Sequence, residues 1–206
     1  MPTPRDDTRA RILKTAYGLL YRQGFARTSM DEIAAAAGLT KRSLYYHFDS
    51  KDAVVEAVLE AQRTHALDQV RRWDDESTDD PARFSDGLFD KLREWSGGSS
   101  FLGSGFTRLT MELADLPGHP ARRAAQRHKR EVEVWLAQRL AAMGVAQADR
   151  AARQTVLLFE GAITLALIHG DGAYVEAAAA ANRLLLSPPT TAVTTRRRSA
   201  RQDRKR

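Results

Sequence analysis

Residues 41–47, Lys-Arg-Ser-Leu-Tyr-Tyr-His, gather two cations, a hydroxyl, two phenols and an imidazole into seven positions with no acid among them. Such a set suits hydrogen bonding to phosphate oxygens and to base edges, both of which accept from donors. It does not suit turnover. No nucleophile–base pairing, cofactor fingerprint or metal-ligand spacing appears in a chain with five histidines and no cysteine, so we expect no enzyme, no catalytic residue, no cofactor and no metal. His128 and Glu131 lie about a turn apart, but two ligands are too few to hold an ion.

The elements that position this stretch are legible around it. At helical spacing Leu44 and Phe48 share one face and turn inward, which leaves Lys41, Arg42, Ser43, Tyr45, Tyr46 and His47 on the outer faces. Thr40 stands where it caps this helix. Upstream, Ser29-x-x-Glu32 is a capping box that opens a shorter helix at Thr28 or Ser29. Ile33, Ala34 and Ala37 give that helix a small apolar face, and Gly38 ends it, because glycine takes the left-handed conformation without a Cβ penalty. Leu39 plugs the turn into a core. The pair reads as a helix-turn-helix, whose second helix enters the major groove of a duplex.

The same residues resemble a known signature. Ile33-Ala34-x-x-Ala37-Gly38-Leu39-Thr40, then Leu44-Tyr45-Tyr46-His47-Phe48, then Ser50-Lys51-Asp52 look like the DNA-binding motif of the TetR family of bacterial ligand-responsive repressors. The resemblance implies that Ser29, Thr40, Lys41, Ser43, Tyr45, Tyr46, His47 and Lys51 touch DNA. Arg42 departs from the pattern, since many members carry glycine there; its side chain is compatible with a base or phosphate contact and joins the candidate set. The resemblance further implies dimerisation through the last two helices and a sensor domain for a small molecule.

Composition bounds these expectations. Hydrophobic residues make up 43% of the 206 and there are three tryptophans, as in a folded protein with a real core. The net charge of +6 is misleading, because residues 187–206 carry seven cations and one acid and the remaining 186 residues balance to zero. Overall basicity is therefore weak support for DNA binding, and the local pattern carries the weight. The N-terminus lacks an apolar run, and no uninterrupted apolar stretch is long enough to span a bilayer, so a cytoplasmic protein without a membrane partner is expected.

Taken in order, residues 1–7 read as loose, and a first helix runs from Thr8 to near Gly24 with Ile12, Leu13, Ala16, Leu19 and Leu20 inward. Asp49 or Ser50 caps a fourth helix, with Ala53, Val54, Ala57, Val58 and Ala61 inward, that reaches Trp73. An acidic, solvated linker from Asp74 to Pro81 follows, then a helix bearing Phe84, Leu88, Leu92 and Trp95. The Gly/Ser-rich stretch 96–105 is a flexible connection at the mouth of a pocket. A short helix runs from Phe106 to Leu116, and a long one from His119 to Met143 places Val132, Trp135, Leu136, Leu140 and Met143 inward, with Arg122, Arg123, Arg127, Lys129 and Arg130 facing water. Helices at 147–169 and 172–186 complete an all-α fold, and their surplus of apolar surface is best buried against a second copy.

The expected organisation is an N-terminal helix-turn-helix unit (1–52), a larger helical ligand-binding and dimerisation domain (53–186, of which 53–73 is a connecting helix) and a disordered basic tail (187–206). Trp95, Phe106, Met111, Trp135 and Phe159 are candidate ligand-binding residues, since small-molecule cavities are mostly apolar. These features together lead to an expected homodimeric transcriptional repressor that binds a palindromic double-stranded DNA operator and is released by a small-molecule effector. The alternative is a sequence-tolerant architectural DNA binder that works through the basic tail.

Overall fold

A computed structural model of the chain describes residues 4–74 and 78–187; the basic tail from residue 188 onward lies outside them. Nine helices occur among the described residues. Helix α1 (Pro4–Gln23) is followed by α2 (Met30–Ala36), α3 (Lys41–His47) and α4 (Lys51–Trp73). Then come α5 (Pro81–Ser96), α6 (Gly105–Glu112), α7 (Pro120–Ala142), α8 (Ala148–His169) and α9 (Ala173–Leu186). No strand appears among the described residues, so the fold is all-α as expected.

Local chemistry explains the boundaries. Ser50 accepts from the Ala53 amide and caps α4, Asp80 accepts from the Ala82 amide and caps α5, and Pro81 occupies the first turn, where its missing N–H costs nothing. Gly144 and Gly170 take positive φ after α7 and α8. Helix α1 begins at Pro4, earlier than Thr8, and Asp6 and Asp7 sit in its first turn, where acids favour a helix start. Helix α6 ends at Glu112, short of Leu116, and Leu113 closes it.

Three cores hold the helices together. The first gathers Ile12 and Ala16 of α1, Ile33 of α2, Leu44 of α3 and Val54, Val55, Val58 and Leu59 of α4, then continues into Phe106 and Leu109 of α6 and Ala121 and Ala124 of α7. The inward stripe of α4 is thus rotated from the one expected: Val55 and Leu59 are buried, whereas Ala61 is exposed. Larger side chains win the core because each buries more apolar area. The second core joins Phe84, Leu136, Leu140, Ala152 and Leu186; the third joins Phe89, Leu92, Ile163 and Val175. The expected division after residue 52 falls at the start of α4, whose valines share one core with α1–α3.

One buried polar chain links three of the helices. The Thr155 hydroxyl donates to Asn182 Oδ1 at 2.7 Å, and Asn182 Nδ2 donates to Ser85 Oγ at 2.9 Å, which ties α8, α9 and α5 together with all three side chains buried. Asn182→Ala strands two buried hydroxyls. We expect a loss of about 2 kcal/mol in denaturant unfolding, whereas removing all three polar groups together costs less.

Two charged side chains sit differently from expectation. Asp74 is not solvated: its side chain is 3% exposed and accepts from Arg139 Nε at 2.8 Å, while Arg139 Nη2 also donates to the Thr78 carbonyl. Lys129 does not face water with the other cations of α7 but turns inward and pairs with Glu160 of α8. That pair matters for α8, which by length and composition alone is apolar enough to cross a membrane, although Glu160 interrupts its apolar run. Here α8 packs against α5, α7 and α9, with the Glu160 ion pair in its middle.

Candidate nucleic-acid interface and internal cavity

The helix-turn-helix is built as its sequence dictates. Ser29 Oγ accepts from the Glu32 amide at 3.2 Å, and Glu32 Oε2 accepts from the Ser29 amide at 2.8 Å, so both halves of the capping box are present. Those hydrogen bonds hold the Glu32 carboxyl below its usual range. Gly38 has φ +66°, and Thr40 accepts from the Ser43 amide at 3.1 Å. Leu44 is fully buried and Phe48 nearly so, which fixes the rotation of α3.

That rotation settles where each candidate points. Lys41, Arg42, Tyr45 and Tyr46 are exposed, Tyr46 at 69%, and Ser43 and His47 are half-buried on the same short helix, with Ser29 and Thr40 exposed at the two helix starts. Lys41 Nζ donates to Asp31 Oδ2 at 3.0 Å, and this carboxylate raises the lysine pKa above its ordinary value. Lys51 is the exception. Its Nζ donates to the Phe25 carbonyl at 3.0 Å and lies 3.9 Å from the centre of the Phe25 ring, so it is already engaged within the protein. Two arginines of α1 join this surface, Arg5 through the early start of the helix. Arg5 lies 5.1 Å from the Tyr46 ring centre and Arg9 lies 5.0 Å from that of Phe48, beside the exposed face of α3.

A cavity of about 710 Å³ opens among α1, α4, α5, α6, α7 and α8. Trp95, Phe106, Trp135 and Phe159 line it, as does Trp73, and residues 100 and 103–105 of the Gly/Ser-rich connection reach its wall. Met111 does not line it: it lies on the solvent side of α6 at 63% exposure, because Phe106 and Leu109 take the inward face of so short a helix. Polar lining residues come from several elements: Gln62, His65 and Gln69 of α4, Lys91 and Glu94 of α5, His128 and Lys129 of α7, and Thr155 and Glu160 of α8. Glu160 accepts from Lys129 and, at 2.8 Å, from the Thr107 hydroxyl. Among the described residues, no three acids or histidines converge to hold a metal.

His128 stacks on Phe106 with ring centres 4.0 Å apart, and its Nδ1 has no hydrogen-bond partner. Burial, reinforced by the Lys129 ammonium, pushes this imidazole down to about 4; Glu160 and Glu131 oppose the shift and Arg63 adds to it. The unfolded ring takes its proton near 6.5, so between those two values the unfolded chain binds more protons and stability falls as the pH drops. We expect His128 to contribute a loss on the order of 2–3 kcal/mol on going from about pH 7 to about pH 4. Urea unfolding across that range, compared with His128→Phe, reads it as a shallower acid limb in the variant.

Comparison with known proteins places these features. Residues 12–58 match the family model described as bacterial regulatory proteins, tetR family. The chain is 40% identical over 60 residues to the HTH-type transcriptional regulator TtgR of Pseudomonas putida, with 29% of each chain covered. It is 41% identical over 64 residues to the HTH-type transcriptional repressor KstR2 of Rhodococcus jostii, which covers 28% of this chain and 31% of the relative. These alignments span less than a third of either relative's length. Across the whole fold, the reduced form of NemR from E. coli superposes with a TM-score of 0.80 at 23% identity, over 89% of this chain and 99% of that one. SCO4454, a TetR-family transcriptional regulator from Streptomyces coelicolor, gives 0.73 at 24% identity, over 87% and 94%. The helix-turn-helix thus matches the tetR family model in sequence over residues 12–58, and the all-α body matches these solved structures in fold.

Proposed function

We propose that the protein is a homodimeric transcriptional repressor, not an enzyme, whose two helix-turn-helix units read a palindromic operator and let go when a small molecule fills the cavity. One observation carries this reading. Helix α6 walls the cavity and, at its other end, Glu112 accepts from the backbone amides of Phe25 and Ala26, in the turn that leads into α2. Tyr21 and Arg108 add to the link, since the Tyr21 hydroxyl donates to the Gly103 carbonyl and Arg108 donates to the Tyr21 carbonyl at 2.7 Å. A ligand that displaces α6 therefore acts on the backbone that sets the position of the DNA-reading helices.

The dimer is supported by bare apolar surface. Leu157 and Ile168 of α8 and Leu184 of α9 are all at least 66% exposed, and an interface of two helices from each copy covers them. A cytoplasmic location without a membrane partner belongs to the same reading. The test is selection of bound sequences from a random duplex pool, with sedimentation of the protein alone. A dyad-symmetric site and a dimer are expected. A monomer, or a footprint without dyad symmetry, overturns the reading. Specific binding that disappears when residues 188–206 are deleted favours the sequence-tolerant binder instead.

A further inference from the structure

The charges that reach the polar side of the cavity are already matched. Glu160 is held by Lys129 and Thr107, and Lys129 has Ser104 within 3.4 Å as well. Lys91 and Glu94, at the margin, pair with each other at 2.8 Å. The opposing walls are aromatic. All three tryptophans of the chain line the space, and Trp73 packs against both Trp95 and Phe159, with ring centres 6.4 and 6.2 Å away. A ligand bearing a net charge has to break the Lys129–Glu160 pair or enter this enclosure uncompensated, and either is costly in a medium of low dielectric.

One buried polar side chain of the lining is not matched in this way. His128 is 5% exposed, stacked on Phe106, and its Nδ1 makes no hydrogen bond although the residue lines the cavity. Buried polar groups without partners are rare in native proteins, and this imidazole, which belongs to the lining, makes no hydrogen bond. A hydroxyl answers it whichever ring nitrogen carries the proton, since an O–H both donates and accepts. Resting on the effector role proposed above, we propose that the cavity takes an uncharged, flat aromatic compound bearing a hydroxyl, with the ring system between the tryptophans and the hydroxyl on His128. At about 710 Å³ the space suits a ligand of two or three fused or linked rings.

Three probes of one shape separate charge from shape: 2-naphthol, 2-naphthoate and trimethyl(2-naphthyl)ammonium, each titrated into the full-length protein near neutral pH. Quenching of the tryptophan emission reads binding directly, because every tryptophan lines the site. We expect 2-naphthol to bind at least tenfold tighter than either ion. His128→Leu should remove its advantage over plain naphthalene. Lys129→Met, which leaves Glu160 uncompensated, should raise affinity for the cationic probe about tenfold and serves if the first variant fails to fold. Failure of 2-naphthol to bind, an ion that binds as tightly as 2-naphthol, or Lys129→Met without effect on the cation overturns the proposal. Release of selected DNA is scored separately: neutral-probe binding without release supports the ligand class and removes only the effector role.

Discussion

Replacing Tyr45 with alanine is expected to weaken operator binding about thirtyfold while leaving thermal stability and the salt dependence nearly unchanged. The phenol is 42% exposed on α3, on the turn that also carries Lys41 and Arg42, whereas the core-facing positions are taken by Leu44 and Phe48. Truncating it therefore opens no cavity. A lost groove contact of about 1 kcal/mol per half-site is counted twice in a two-fold reader, so the total is about 2 kcal/mol. Tyrosine bears no charge, so the slope of log affinity against log salt should hold. Gel-shift titrations at two ionic strengths on the selected duplex give both quantities. Unchanged affinity would mean that the exposed face of α3 is not the reading face.

Gly24→Ala should be the more damaging of single changes outside the recognition helix. Gly24 has φ +87°, and a Cβ there would overlap the Glu112 carboxylate, which sits against this turn to accept from Phe25 and Ala26. The backbone conformation alone costs a non-glycine residue roughly 1–2 kcal/mol. Expelling an exposed carboxylate from two amides adds about 1 kcal/mol, so thermal unfolding should register a loss of about 2–3 kcal/mol. Operator affinity should fall with it, since the turn leads straight into Ser29 and α2. Glu112→Ala keeps the glycine and loses only the clasp. In the double variant the two effects should add to less than their sum, because both act on one contact. Full additivity would show that α6 and this turn are energetically independent.

Lys51→Ala, in contrast, is not the clean phosphate probe that its place in the motif implies. Its ammonium closes the Phe25 carbonyl and lies over the Phe25 ring, so a loss of stability of about 1 kcal/mol should accompany any flattening of the salt dependence. Chemical denaturation beside the gel shifts separates the two.

What was legible in the chain is what depends on near neighbours. Ser29 with Glu32, Gly38, Thr40, and Leu44 with Phe48 act over four residues or fewer, and each does in three dimensions what its spacing announced. Lys129 looked like one more solvated cation on α7 because its partner, Glu160, is 31 residues away on another helix. Asp74 looked like part of an acidic loop because Arg139 is 65 residues distant. Met111 looked like a lining residue because hydrophobicity alone does not say which side of an eight-residue helix faces in. For the same reason the stacking of His128 on Phe106 had no signal in the order of residues.

The seam between Asp74 and Arg139 bears, for the proposed repressor, on how operators are chosen. It fastens the far end of α4 to α7, while the near end begins four residues after α3 ends, so the 23 residues between form a rod about 35 Å long, held along its middle by the shared core and by the Glu60–Arg127 and Arg63–Glu131 pairs. A tilt of about 5° of such a rod about its distal tip would displace α3 by about 3 Å, and in the proposed dimer two heads moving apart would change their spacing by about 6 Å, nearly two base-pair rises. For the proposed dimer, tolerance for spacer length between half-sites then depends on how firmly the whole α4–α7 seam is held, the arginine–aspartate grip being its outermost point.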